Sequence, residues 1–199
     1  PRFSCVDITN LSRTIPMILP IYAYGQSVLR KQTEELEKSD ESLQELLDNM
    51  FETMYASNGI GLAAPQIGIA KRLFIVDGSE IEGIQPEGFK EAFINPVIEE
   101  EFGEEWEFEE GCLSIPDVRA YVKRKGELTI RYYNREWQEQ VKTFDGMAAR
   151  IIQHEYDHIE GVLFTDRIGP LKRNMLKRRL DNISKGIVKV DYKMKFTKR

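Results

Sequence analysis

The chain has 199 residues, 41% hydrophobic and 31% charged, with a formal net charge of −5. That balance suits a globular domain with a sizeable core and excludes a disordered or low-complexity chain. No apolar run approaches a membrane span, two cysteines cannot build a disulfide framework, and no basic segment leads into an apolar stretch. A cytoplasmic protein with neither a membrane nor DNA as partner is therefore expected.

Residues 1–16 show neither helical nor strand periodicity. They are expected to be a leader foreign to the domain, or a natural extension of it, with residues 17–199 forming one domain. Residues 40–56 place Leu43, Leu46, Leu47, Met50, Phe51 and Met54 at helical spacing, with Ser39 or Asp40 as the cap. Residues 73–77 read as a short buried strand. Residues 93–98 are strand-like, and Pro96 within them suggests a sheet edge. Residues 99–110 hold eight glutamates. Glu105, Trp106, Glu107, Phe108 and Glu109 alternate, so a strand with one wet face is expected there rather than a cation site.

Residues 127–133 and 137–144 alternate and suggest a hairpin. A helix should follow, with Asp145 as its N-cap and Gly161 ending it in a left-handed conformation. Residues 171–183 form a basic amphipathic pattern, and residues 187–192 read as a last short strand. No internal repeat is visible. The expected fold class is α+β: small antiparallel sheets packed around a central helix that bears the metal ligands.

The ligands are the sharpest signal. His154-Glu155-Tyr156-Asp157-His158 matches H-E-x-x-H and contains the only two histidines of the chain. On a helix, positions i and i+4 share a face, so two imidazoles can grip one divalent metal. The adjacent glutamate is then placed to act as a base on water. Met147, Ile151, His154, Glu155 and His158 recur on one face. A lone histidine there would read as a core residue; the pair with its glutamate reads as a metal site. A third ligand is needed. Phe164 stands where one protease pattern has its third histidine, and no glutamate follows Glu160. The ligand must come from upstream or from one of the few downstream aspartates. Cys5 lies in a polar N-terminal stretch, whereas Cys112 follows an alternating strand. Without the histidines Cys112 would read as a small buried hydrophobe; with them it is the better candidate. Gly59-x-Gly61-x-x-Ala64 suggests a dinucleotide fingerprint, but it follows a helix and runs into Pro65, which is the wrong context.

Three separated motifs, Gly59-Ile60-Gly61-Leu62-Ala63-Ala64-Pro65-Gln66, Glu110-Gly111-Cys112-Leu113-Ser114 and Gln153-His154-Glu155-Tyr156-Asp157-His158, give the chain a resemblance to bacterial peptide deformylases. The resemblance runs from about Ile18 to about Asp166 and points to Met17 as a natural start. It implies removal of the formyl group from the N-terminal formylmethionine of newly made proteins. It implies Fe2+ as the metal, with Zn2+, Ni2+ or Co2+ able to substitute, held by Cys112, His154 and His158. Glu155 would be the base. The Leu113 backbone N–H and the Gln66 amide would stabilise the oxyanion. The Ile60–Gly61 and Gly111 segments would pair with the peptide backbone, and Phe108, Met147 and Ile151 are candidates for the methionine pocket. Glu110 and Arg119 are expected either to form a supporting ion pair or to stand as separate solvated charges. Two other classes stay open: a zinc endopeptidase using the same motif on internal peptide bonds, and a non-catalytic metal-binding protein. Residues 170–199 carry eleven Lys or Arg against Asp181 and Asp191, a balance of +9 within a total of −5. They are either a solvated face that offsets an acidic body or a docking surface for ribosomal RNA.

Overall fold

A computed structural model describes residues 15–197. Cys5 and residues 1–14 of the expected leader lie outside the described residues. The elements are β1 (Ile21–Tyr22), α1 (Leu43–Ala56), β2 (Gly61–Ala63), β3 (Leu73–Asp77), β4 (Lys90–Cys112), β5 (Ile115–Tyr133), β6 (Glu139–Asp145), α2 (Gly146–Ile159), α3 (Pro170–Ser184) and β7 (Met194–Lys195). Strands β2-β3-β4-β5-β6 form one antiparallel sheet in that order, and β1 and β7 form a two-stranded parallel pair.

The α+β class holds, and the sheet separates two apolar layers. Along β3, Phe74 and Val76 point to one side, where Ala148, Ala149, Ile152 and Ile159 of α2 pack with Phe93, Leu128, Ile130 and Phe144. Leu73 and Ile75 point to the other, against Leu43, Leu47, Met50 and Met54 of α1. This is the period-two alternation of a strand covered on both faces. Each such Leu, Ile or Phe contributes roughly 1.5–3 kcal/mol by leaving water. A third cluster joins Leu180 and Ile183 of α3 to Ile115, Val118, Val122, Leu163 and Phe164.

Several boundaries differ from expectation. The first helix starts at Leu43, with Ser42 at the N-cap position, because Asp40 instead accepts bonds from the Ser42 backbone N–H and hydroxyl in a preceding turn. Pro96 lies just past the end of the β3 pairing, which stops at Ile94, so at this point β4 has only β5 beside it, as an edge position would. Its missing N–H is tolerated because the ladder shifts register between Ile94 and Val97. Asn95, at φ 50°, makes that bulge, and its side chain exchanges two bonds with the Leu36 backbone, at 2.8 and 2.9 Å. The last strand is Met194–Lys195 rather than residues 187–192, because the bonding partner is β1: Ile21 N–H donates to Lys193 O at 2.8 Å and Ala23 N–H to Lys195 O at 3.0 Å. Asp145 occupies the N-cap of α2 but makes no side-chain cap bond. Gly161 has φ 72°, and a Cβ there would meet the Arg30 backbone carbonyl at 2.9 Å, so the α2 terminus needs glycine twice over.

Candidate active site

The long β4–β5 ladder closes in a tight turn that pairs Cys112 with Ile115, and this turn carries the thiol over the face of α2 that bears His154 and His158. Cys112 Sγ lies 3.3 Å from His158 Nε2. The ligand atoms of Cys112, His154 and His158 all fall within 4.8 Å of one another. His154 Nδ1 lies 2.9 Å from Glu110 Oε2, which leaves its Nε2 free for the shared centre. One thiolate and two imidazoles suit a borderline transition ion. A carboxylate behind one imidazole is the outer partner that such ligands use to fix their tautomer. The residues present therefore fit a single divalent metal.

Glu110 does not pair with Arg119. In the ladder Glu110 stands opposite Ala120, while Arg119 stands opposite Gly111. Arg119 is thus on the other face, since a one-residue step along a strand reverses direction. The partner is Arg124, which shares the face of Glu110 and binds it through two bonds at 2.7 and 2.9 Å. Arg124 is only 3% exposed. It also donates to Asp157 at 2.8 Å, Arg150 adds a bond to Glu110 at 3.1 Å, and Arg167 closes on Asp157. The chain of contacts Asp157–Arg124–Glu110–His154 begins and ends on α2. It ties the helix that carries the histidines to both strands of the hairpin.

These charges set the titration of the site. Burial opposes the Glu110 carboxylate, but the Arg124 and His154 bonds outweigh it and hold the group well below the usual carboxylate range. Burial likewise opposes a proton on His154, while the bonds to Cys112 and Glu110 draw it upward. His158 moves the other way, lowered by burial and by its neighbour His154. Glu155 is raised to about 7, mainly by burial, and its Oε2 has no hydrogen-bond partner. Gly61 of β2 is what allows this close packing: a Cβ there would come within 2.8 Å of the Glu155 carboxyl carbon.

Gln66 follows β2 and is buried. Its Oε1 accepts the Ala63 N–H at 2.8 Å, which turns its amide nitrogen toward Ser114 Oγ at 3.3 Å and Cys112 Sγ at 3.4 Å. A cavity of about 550 Å³ brings together Ile60, Gly61, Gln66, Phe108, Glu110, Gly111, Cys112, Leu113, Met147, Ile151, His154 and Glu155. His158 lies buried behind it. Ile60 and Phe108 stand at the rim, 45% and 38% exposed, whereas Ile151 is buried. Every residue singled out from the sequence thus borders this cavity or backs onto it. Arg124, Arg150 and Asp157 carried no local signal, and their roles emerge only once the hairpin register is known. The same is true of Tyr192, whose hydroxyl donates to Leu113 O at 2.7 Å.

Comparison with known proteins agrees with this picture. Residues 18–174 match the polypeptide deformylase family profile. A peptide deformylase of Cytophaga hutchinsonii is 52% identical over 180 residues, covering 90% of this chain and 98% of the relative. One of Christiangramia forsetii is 49% identical over 189 residues, covering 90% and 96%. The crystal structure of a Legionella pneumophila peptide deformylase superposes with a TM-score of 0.75 at 41% identity, covering 86% of this chain and 98% of that one. That of an Ehrlichia chaffeensis peptide deformylase in complex with actinonin gives 0.76 at 35% identity, covering 85% and 97%. By sequence and by structure, this chain belongs to the polypeptide deformylase family.

Proposed function

We propose that this chain hydrolyses the N-terminal formyl group of formylmethionyl peptides, a metal-dependent step in the maturation of new proteins. The observation that carries the proposal is the convergence of Cys112, His154 and His158 with Glu155 and Gln66 in one cavity. The resemblance to the family points to Fe2+, while the same ligands would also accept Zn2+, Ni2+ or Co2+. When bound, the metal supplies Lewis acidity that polarises the formyl oxygen and makes water acidic near neutral pH.

The protein's own groups do the rest. Glu155 accepts the proton of the attacking water and returns it to the departing amine. A carboxylate raised to about 7 by burial is matched to both directions of that transfer. Gln66, its amide already turned toward the Cys112 thiol, donates to the developing oxyanion together with the Leu113 backbone N–H. The peptide backbone adds as a strand between the Ile60–Gly61 and Gly111 segments. Phe108, Met147 and Ile151 receive the methionine side chain. Glu110 and Arg124 hold His154 in the tautomer that offers Nε2. Placement in the cytoplasm follows from the substrate, and no described helix is long and apolar enough to cross a membrane.

For the basic segment we propose contact with ribosomal RNA. α3 exposes Lys172, Arg173, Lys177, Arg178 and Arg179 around its circumference, and such cationic side chains can contact phosphates.

The deciding experiment is metal analysis after anaerobic purification, followed by turnover of formyl-Met peptides, unformylated peptides and peptides cleavable only internally. Release of formate from the first set alone is expected. Internal cleavage would point to an endopeptidase, and metal binding without turnover of any substrate would point to a non-catalytic protein.

A further inference from the structure

The segment between α3 and β7 has a place that its sequence did not suggest. Lys189, Val190, Asp191 and Tyr192 line the same cavity as Cys112 and Glu155. They are held there from two sides: the Tyr192 hydroxyl bonds the Leu113 carbonyl at 2.7 Å, and the β1–β7 pairing begins at Lys193. Val190 and Tyr192 are half-buried, while Lys189 and Asp191 are exposed. This alternation turns the apolar and aromatic side chains inward and leaves two opposite charges at the mouth. The segment also lies beyond residues 18–174, the stretch that matches the family profile.

We propose that Lys189–Tyr192 forms a wall of the peptide cleft whose two opposite charges keep it even-handed toward the charge of the residues that follow the formylated methionine. The proposal rests on the deformylase reading. In that reading the formyl group and the methionine side chain occupy the deep end near Cys112, Met147 and Ile151. The rest of the peptide must leave along the mouth. Exposed charged groups of the lining are Lys189 and Asp191 on the wall, Asp117 and Arg119 on β5 and Glu109 on β4. In the native chain the wall's two charges cancel, so it favours neither acidic nor basic peptides strongly. Reversing either one leaves a wall of a single sign. An exposed pair about 4 Å apart in water is worth about 1 kcal/mol, roughly fivefold, and salt screens it.

The test uses the full metal-loaded chain and three peptides: formyl-Met-Ala-Ser, formyl-Met-Ala-Glu and formyl-Met-Ala-Lys. The quantity read is the ratio of kcat/KM for the acidic peptide to that for the basic one. It is internal to each preparation, so partial loss of folded protein cancels. Lys189→Glu should shift the ratio about threefold to tenfold toward the basic peptide, and Asp191→Lys by a similar factor toward the acidic peptide. Both shifts should reside in KM and shrink as salt is raised. Ratios that stay at the native value in both variants, or that move in the same direction in both, overturn the proposal. The native chain's turnover of the serine peptide separates the two readings. If it is absent, the deformylase reading falls and this proposal with it; if it is present with unmoved ratios, only the wall is refuted.

Discussion

At the residue scale, ligand, base and oxyanion donor are separate side chains, so they can be removed one at a time. Cys112→Ser replaces a soft thiolate with a hydroxyl at the centre of the donor set and should lower metal content. Cys5→Ser should leave metal content unchanged, and equal occupancy in the two purified variants would remove Cys112 from the ligand set. Glu155 sits one position from His154 yet is not within the donor cluster. Glu155→Ala should therefore keep the metal while kcat falls by about 10²–10⁴-fold, the usual share of a general acid–base group. A variant with near-native kcat would show that another group moves the proton. Gln66→Leu removes an amide whose orientation is set by Ala63. It should cost about 10²–10³-fold in kcat, with little change in KM, because the bond strengthens only as negative charge develops. A pure KM effect would instead assign Gln66 to ground-state binding.

At the scale of elements, α3 joins an apolar edge to a basic face. Its inner edge supplies Leu180 and Ile183 to the core, both 3% exposed. Deleting everything after Gly169 would expose that core and remove β7 along with the cleft wall. Charge reversal on the outer face is the cleaner probe of ribosome docking. Lys177 and Arg178 are exposed, and neither takes part in an ion pair among the described residues. Lys177→Glu with Arg178→Glu should keep turnover of short peptides and the unfolding temperature, but weaken co-sedimentation with ribosomes at low salt. Native-like co-sedimentation of the double variant would refute docking through this face.

Over the whole molecule, stability should fall in acid for a reason located in the buried network. Glu110 is held below its ordinary value of 4.5 in the folded chain by Arg124 and His154, against the cost of burial. A depressed carboxylate contributes stability that is fully present above the unfolded value and is lost progressively as pH falls below it. Asp166, lowered by Arg30 and the Leu163 N–H despite partial burial, acts in the same sense. The unfolding temperature should therefore drop as pH is lowered below about 4.5. Glu110→Gln should flatten that acid limb while lowering stability at neutral pH, since it leaves Arg124 less fully compensated. An unchanged acid limb in this variant, followed by thermal unfolding, would show that other carboxylates govern it.

The division between what the chain spells out locally and what packing decides falls along sequence distance. The spacing of His154 and His158, the buried run 73–77, the alternation in 127–144 and the stop at Gly161 are local properties, set by helical and strand periods, and the sequence alone determined them. Cys112 could be ranked above Cys5 from its context, but its approach to His158 required the turn between β4 and β5. Nothing local in the sequence marks Arg124 rather than Arg119 as the partner of Glu110. Only the register, which puts Arg124 on the same face and Arg119 on the other, chooses between them. Pro96 marked both a break in the ladder and a place where β4 has a neighbour on one side only, since β3 stops at its pairing with Ile94; the bulge itself came only with the register. The C-terminal segment shows the same limit most fully. Its strand pairs with a partner more than 170 residues away, and Tyr192 meets Leu113 across 79 positions. No local pattern encodes such contacts. They are settled by which surfaces remain uncovered once the sheet, α1 and α2 have buried their apolar faces.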